Sequence, residues 1–266
     1  MSDLTKYEKF LIDKIDNNKG DNIKSLRDFT KRIWDNPRII TYFTDHGLGH
    51  SQRVAKRAVE IIKTHPKKHK SLEEDELFVL LAGIYLHDIG MQCDISKFPK
   101  IKKIAEEMGA NFNNIDLSKK EDYSGYSKDQ QYIIRENHHY LSAAYIKYAW
   151  YDKGGDGLHN KISYSIDKFL ISDVIDICKF HSKLSIDDCK INFDRKGSNK
   201  KRRVAAILRL ADEMDADSKR VDYKAIESCD IPPKNKRHWY LHDNTILELE
   251  GKGKGVYTFC QKIMPP

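Results

Sequence analysis

A histidine and an aspartate stand side by side in LLAGIYLHDIG, residues 80–90 of the sequence. Apolar residues recur there at helical spacing, which predicts a buried helix over residues 72–89, and Gly90 is interpreted as its stop. A buried carboxylate is costly unless it is hydrogen-bonded or bound to a metal. His87 and Asp88 suit a divalent metal, and a carboxylate can bridge two ions. A core histidine capped by its neighbour explains the dipeptide equally well.

Further histidines and aspartates occur at other predicted helix ends, dozens of residues apart. His50 opens a helix in DHGLGHS, residues 45–51, on the face that Val54 buries. Asp212 lies four residues after Leu208, where the pattern calls for another apolar residue. A lone histidine is more often part of a core, and a lone aspartate is often a cap. Facing helices that each supply one inward side chain are nevertheless how helical bundles build metal sites. The other candidates are His138 or His139, and His181.

Apolar periodicity predicts the helices that must position these residues. They are expected over residues 4–16, 24–34, 50–65, 72–89, 97–109, 130–151, 169–180 and 203–215. In the helix 130–151, the apolar stripe is Ile133, Ile134, His138, Leu141, Tyr145 and Tyr148. Alternation near residues 245–250 and 256–260 predicts two strands. We therefore expect a mainly α fold: a helical domain at residues 1–222 and a small α+β appendage at 223–266.

The composition bounds the class of protein. The 266 residues carry a net charge of +7, which favours anionic partners without singling out nucleic acid. Five scattered cysteines without a CxxC motif argue against a disulfide framework and a thiolate zinc site. The first residues lack a signal-peptide pattern, and no apolar run approaches the ~20 residues that span a bilayer. These features predict a soluble cytoplasmic protein with no membrane partner.

A basic run, RKGSNKKRR, occupies residues 195–203 with six positive charges in nine residues. Such a run contacts phosphate or nucleic acid in some proteins and is a solvated loop in more of them. The run therefore leaves a nucleic-acid substrate open.

The chain resembles the HD-domain superfamily of metal-dependent phosphohydrolases, whose pattern is H…HD…D. The matching segments are GHSQRVA at 49–55, AGIYLHDIG at 82–90 and LRLADEMD at 208–215. The resemblance implies an HD-domain helical bundle. It also implies the metal ligands His50, His87, Asp88 and Asp212, and, for members with two metals, His139 in preference to His138, together with His181.

The resemblance also implies the chemistry. A divalent cofactor, expected as two ions of Mn, Fe, Mg, Ni or Co with Asp88 as the catalytic bridge, would activate a water to hydrolyse a nucleotide or a related phosphate ester. A nuclease acting on single strands and a nucleotide sensor without turnover are the alternatives. Arg53 is the first candidate cation for the phosphoryl group, ahead of Lys179 and Arg209. His46, which the wider family does not require, is expected to touch substrate or to support the site.

The tail of the chain is similar to that of a bacterial HD subgroup associated with defence systems. Its segments DEMD at 212–215, RVD at 220–222, PP at 232–233 and HW at 238–239 occur in the same order. Members of that subgroup often precede an Hsp90-like ATPase. The similarity implies an ATPase partner, either as a domain or as a separate protein.

Overall fold

A computed structural model describes the greater part of the chain. The described residues are 3–63, 72–120, 125–151, 162–189, 201–216, 220–221, 231–243, 245–251 and 257–263. Their helices are α1 (Lys6–Ile12), α2 (Asn17–Trp34), α3 (Leu48–Lys63), α4 (Glu74–Leu86), α5 (Pro99–Glu107), α6 (Lys128–Glu136), α7 (His138–Tyr151), α8 (Ile171–Phe180), α9 (Lys201–Glu213) and α10 (Pro233–Asp243). Two short 3-10 helices span Ile89–Gln92 and Ile186–Asp188. The prediction of a mainly α fold is confirmed.

Helix α4 is the centre of the bundle. Its residues from Glu76 to Leu86 are all buried, and α2, α3, α8 and α9 pack around it. A helix that is apolar on every side must lie inside a core, because no face of it suits water. The helix ends at Leu86, and His87 is its C-terminal cap. The His-Asp pair therefore lies at the buried end of the central helix, where side chains from the surrounding helices can reach it.

Gly90 does not have the role that the sequence predicts. It lies within the 3-10 helix Ile89–Gln92, past the end of α4, and it is not among the glycines with positive φ. A Cβ on Gly90 would lie 2.4 Å from the backbone nitrogen of Ser142 and 2.6 Å from the carbonyl oxygen of His138. Glycine is needed here because the backbone of α7 crosses against it, and not because a helix stops.

The helix predicted over 130–151 is two helices. Helix α6 ends at Glu136, and Asn137 leaves the helical region with φ −108° and ψ 12°. The side-chain amide of Asn137 donates to the carbonyl of Asn111 at 2.8 Å, and its oxygen accepts the Asn111 backbone N–H at 3.0 Å. This contact ties the loop after α5 to the break. As a result α7 begins at His138 and packs on α5, α8 and the first 3-10 helix.

The C-terminal part combines α10 with a two-stranded antiparallel sheet, in which β1 (Thr245–Gly251) pairs with β2 (Tyr257–Ile263). Both strands lie where the alternation predicted them. Trp239 of α10 is buried and donates its indole N–H to the carbonyl of Tyr42 at 3.0 Å, so α10 packs against the helical part of the chain. The domain boundary after residue 222 stays a prediction.

Two other predictions concern charge and membranes. Of the basic run, residues 195–200 lie outside the described residues, and the remainder forms the first turn of α9. Among the helices of the described ranges, none has the length and apolar character needed to cross a bilayer.

Candidate metal centre

Three helices bring four predicted ligands together. His50 comes from the first turn of α3, His87 and Asp88 from the end of α4, and Asp212 from the last turn of α9. His50 Nε2 lies 3.1 Å from His87 Nε2 and 3.1 Å from Asp212 Oδ1, and His87 Nε2 lies 3.3 Å from Asp88 Oδ2. One ligand atom from each of the four lies within 4.8 Å of all the others. We call these four residues the first group.

A second group consists of Asp88, His138 and His181, again with its ligand atoms within 4.8 Å of one another. His138 is the first residue of α7, and His181 directly follows the last residue of α8. Their Nε2 atoms are 3.0 Å apart and lie 3.4 and 3.6 Å from Asp88 Oδ1. Packing of α7 against α8 therefore supplies a second set of candidate ligands.

Asp88 belongs to both groups. Its Oδ2 faces the histidines of the first group, and its Oδ1 faces those of the second. Burial alone would raise the pKa of Asp88, but the charge of His87 and the hydrogen bonds of His181 and His46 hold that pKa well below its ordinary value. The side chain is thus a carboxylate placed where it can bridge two ions.

All four clustered histidines are held in the same way. In each ring Nδ1 lies within 3.2 Å of an oxygen acceptor, which places the proton on Nδ1 and leaves the Nε2 lone pair pointing into the cluster. For His50 the acceptor is Asp215 Oδ2, at 2.6 Å. For the other three rings the acceptors are backbone carbonyls: those of Gly83 and Ile84 for His87 at 3.2 and 3.1 Å, that of Arg135 for His138 at 2.7 Å, and that of Cys178 for His181 at 2.6 Å.

This arrangement fits a metal. Two Nε2 lone pairs that face each other at 3.0–3.1 Å repel unless they share a proton or a metal ion. The same attraction for positive charge is visible at His87, where burial would lower the pKa but Asp88 and Asp212 raise it well above its ordinary value. Imidazole nitrogens with carboxylate oxygens, and no thiolate, suit divalent first-row metals. The buried His/Asp groups could therefore hold metal ions.

His138, and not His139, lies in the cluster, which corrects the position favoured by the family resemblance. Successive residues of an α-helix point about 100° apart, so only one of two adjacent histidines can face the centre. His139 is also buried, but its ring packs on Tyr140 at a centroid distance of 4.2 Å. Neither of its nitrogens has a hydrogen-bond partner among the described residues. The apolar stripe had already placed His138 on the buried face.

His46 supports Asp88 from the side. Its Nδ1 lies 2.8 Å from Asp88 Oδ2, and both side chains are 5% exposed. Burial lowers the pKa of His46 well below its ordinary value despite the pull of Asp88, so the ring is neutral and donates its Nδ1–H. Nη2 of Arg220 lies 2.9 and 3.3 Å from the two ring nitrogens of His46. His46 therefore contacts a predicted ligand directly and stands between it and an arginine.

Arg53 contacts the centre through a residue that the sequence did not single out. Its Nε donates to Asp215 at 2.9 and 3.1 Å, and Asp215 in turn accepts from His50. Asp215 is the last residue of the matching segment LRLADEMD, three positions after Asp212. Its place in that segment is the sequence feature from which its role could have been predicted. The two weaker candidate cations have other contacts. Arg209 donates to the carbonyl of Leu184 at 2.6 Å, and Lys179 lies 5.5 Å from the ring centre of Tyr140.

The comparisons with known proteins agree with this geometry. A family model described as HD-CE matches residues 40–252, which is most of the chain and includes both groups of candidate ligands. No curated protein and no solved structure matches the chain. The buried His/Asp cluster fits a metal-dependent HD domain. The chain therefore belongs to the HD-CE family.

Proposed function

We propose that the protein is a metal-dependent phosphohydrolase that acts on a nucleotide or a related phosphate ester. One observation carries the proposal. Four imidazoles from different helices turn lone-pair nitrogens toward two carboxylates, in two groups that share Asp88. Two adjoining cation sites joined by a carboxylate are the arrangement that serves phosphoryl transfer in two-metal hydrolases.

The residues that would hold the ions are those of the two groups. They are His50, His87, Asp88 and Asp212 for one ion, and Asp88, His138 and His181 for the other. When bound, Mn, Fe, Co, Ni or Mg ions would lower the pKa of water toward about 7 and polarise a phosphoryl group. The identity and number of the ions, the defence setting and the ATPase partner stay predictions.

The protein residues around the cluster hold this arrangement rigid. His46 donates to Asp88 Oδ2, which fixes the plane of the carboxylate and so aims one oxygen at each group. Asp215 accepts from His50 and from Arg53, which fixes the His50 ring and places a guanidinium beside it. Ligands whose orientation is fixed in advance need not be ordered during the reaction.

The exposed fractions of the side chains support one direction of approach for a substrate. The side chains of His50 and His87 are 0% and 1% exposed, whereas those of Asp212 and Arg53 are 17% and 18% exposed. A phosphate ester would therefore enter past Asp212, with Arg53 near its path. The nearly dry interior strengthens every charge interaction that a bound phosphate makes there.

Metal analysis followed by a phosphate-release screen tests the proposal. The protein is reconstituted with each candidate ion and is offered nucleotides, simple phosphate esters and, in parallel, single-stranded oligonucleotides. Phosphate release from nucleotides, lost in the His87→Ala, Asp88→Ala double variant, is the expected result. Cleavage of oligonucleotides alone would favour a nuclease. Binding of a nucleotide without turnover would favour a sensor, and full activity in the double variant would refute the site.

The adjacent histidines of α7 offer a matched pair of variants. His138→Ala should lower the metal content by the ion of the second group and abolish turnover, because it removes an Nε2 that faces Asp88. His139→Ala removes the same number of atoms from the same turn and should keep the metal content of the unsubstituted protein. Equal metal loss in both variants would show that damage to α7, and not loss of a ligand, is responsible.

A further inference from the structure

Besides Arg53 and Arg220, another arginine lies next to the candidate ligands. Arg135, near the end of α6, places Nη1 2.9 and 3.2 Å from the two ring nitrogens of His138. Arg135 is half-buried, so one side of it is open to solvent. Arg135 thus lies beside the second group much as Arg220 lies beside His46.

Arg135 and Arg53 differ in their counter-charges. Arg53 is paired with Asp215 at 2.9 Å, so its charge is largely neutralised within the protein. Among the described residues, no carboxylate oxygen lies within 4.0 Å of a guanidinium nitrogen of Arg135, so Arg135 has no ion-pair partner there. An anion would stabilise a half-buried guanidinium that has no carboxylate partner and lies next to a histidine that would hold a cation.

The charge balance of the side chains around the cluster also favours an anionic substrate. Four carboxylates lie in and around the cluster among four guanidiniums, and these charges cancel before any metal enters. The carboxylates are those of Asp45, Asp88, Asp212 and Asp215, and the guanidiniums are those of Arg38, Arg53, Arg135 and Arg220. Two divalent ions would then add four positive charges to a site whose ligands are almost entirely buried. A substrate that carries two or more negative charges on the reacting end would offset more of this charge than a singly charged one.

We propose that Arg135 binds the phosphoryl group of the substrate, and that this group is a terminal, doubly charged phosphate of a monoester or nucleotide and not an internal diester. The planar guanidinium matches two phosphate oxygens at once, and a terminal phosphate offers three oxygens where a diester linkage offers two. The proposal rests on the proposed function, because it assumes that metal ions and a phosphate ester meet at this site.

Binding of two small probes to the metal-loaded protein tests the proposal without relying on turnover. Inorganic phosphate represents the doubly charged group and dimethyl phosphate represents the diester, and isothermal titration calorimetry measures the affinity of each. Phosphate should bind at least about tenfold more tightly than dimethyl phosphate. Arg135→Gln should weaken phosphate binding by about 10- to 100-fold, the value of a hydrogen bond to a charged group. Its metal content should not change.

Arg209→Gln is the matched control. It removes the same charge from another half-buried arginine, whose Nη1 donates to the Leu184 carbonyl, and it should leave phosphate affinity unchanged. Equal phosphate affinity in the two variants, or equal affinity of the unsubstituted protein for both probes, would overturn the proposal. If Arg135→Gln loses metal, Arg135→Lys is measured instead, and undiminished phosphate binding at full metal content would overturn the proposal as well.

These outcomes separate the two levels of inference. An unsubstituted protein that takes up no metal or hydrolyses no phosphate ester would contradict the proposed function. A protein that does both, with Arg135→Gln indistinguishable from Arg209→Gln, would contradict only the role of Arg135.

Discussion

Replacing Asp215 with asparagine should weaken metal binding at the first group while leaving the ligands themselves in place. The side chain of Asp215 is 1% exposed, and the predicted ligand that it contacts is His50, whose Nδ1 lies 2.6 Å from Oδ2. Among the four anchored histidines, His50 is the one whose Nδ1 is held by a carboxylate. A carboxylate there fixes the orientation of the ring and makes Nε2 a stronger donor, whereas a neutral amide does both less well.

The magnitude follows from the contacts that are lost. Partners that hold a metal-binding histidine change metal affinity by about 10- to 100-fold when they are altered, or about 1.4–2.8 kcal/mol. The upper end of this range applies here because Asp215 also holds Arg53, and without its negative charge that guanidinium keeps only the more distant carboxylate of Asp45, at 3.9 Å, as a counter-charge among the described residues. The second group does not contact Asp215 directly, so its affinity should change little.

The assay is competition between the protein and a chelator of known affinity, with Mn²⁺ or Co²⁺ as the probe ion. Asp215→Asn should release one ion at a lower chelator concentration and keep the other. Asp45→Asn is the control, since Asp45 also lies near Arg53, at 3.9 Å, but it has no contact with His50. If the two asparagine variants hold both ions as tightly as the unsubstituted protein, the reasoning about His50 is wrong.

Three further predictions concern buried residues outside the two groups of candidate ligands. Gly90→Ala should cost about 1–3 kcal/mol of stability and loosen the second group first, because its Cβ would collide with backbone atoms of α7; thermal unfolding and metal analysis check this, and an unchanged melting temperature would contradict it. Glu8→Ala should lower the free energy of unfolding by about 3–5 kcal/mol in urea titrations, since it leaves the buried Arg27 without its 2.8 Å partner. Burial raises the thiol pKa of Cys93 and Cys178, which lowers the thiolate fraction at every pH below that pKa, so iodoacetamide at pH 8 should label them only after unfolding; peptide mass spectrometry would detect labelling of the native protein as a failure.

Most helices and their buried faces could be predicted from the sequence because each depends on residues close together in the chain, whereas the break at Asn137 and the bounds of α10 were not predicted. Periodicity placed α4 in the core and put His87 and Asp88 at its end. It also put Val54 and His50 on one buried face and Asp212 on another. The choice between His138 and His139 shows the value of that signal, since the apolar stripe included the residue that faces Asp88 and the family resemblance favoured its neighbour.

What the sequence by itself determined is therefore which helices carry imidazoles and carboxylates on their inner faces. Only the tertiary structure decided which partners meet there: Asp215 on His50, Arg220 on His46 and Arg135 on His138. The need for glycine at position 90 has the same origin, in the crossing of α7. The physical reason is that a helix fixes the directions of its own side chains, whereas contacts between helices depend on how the whole bundle packs.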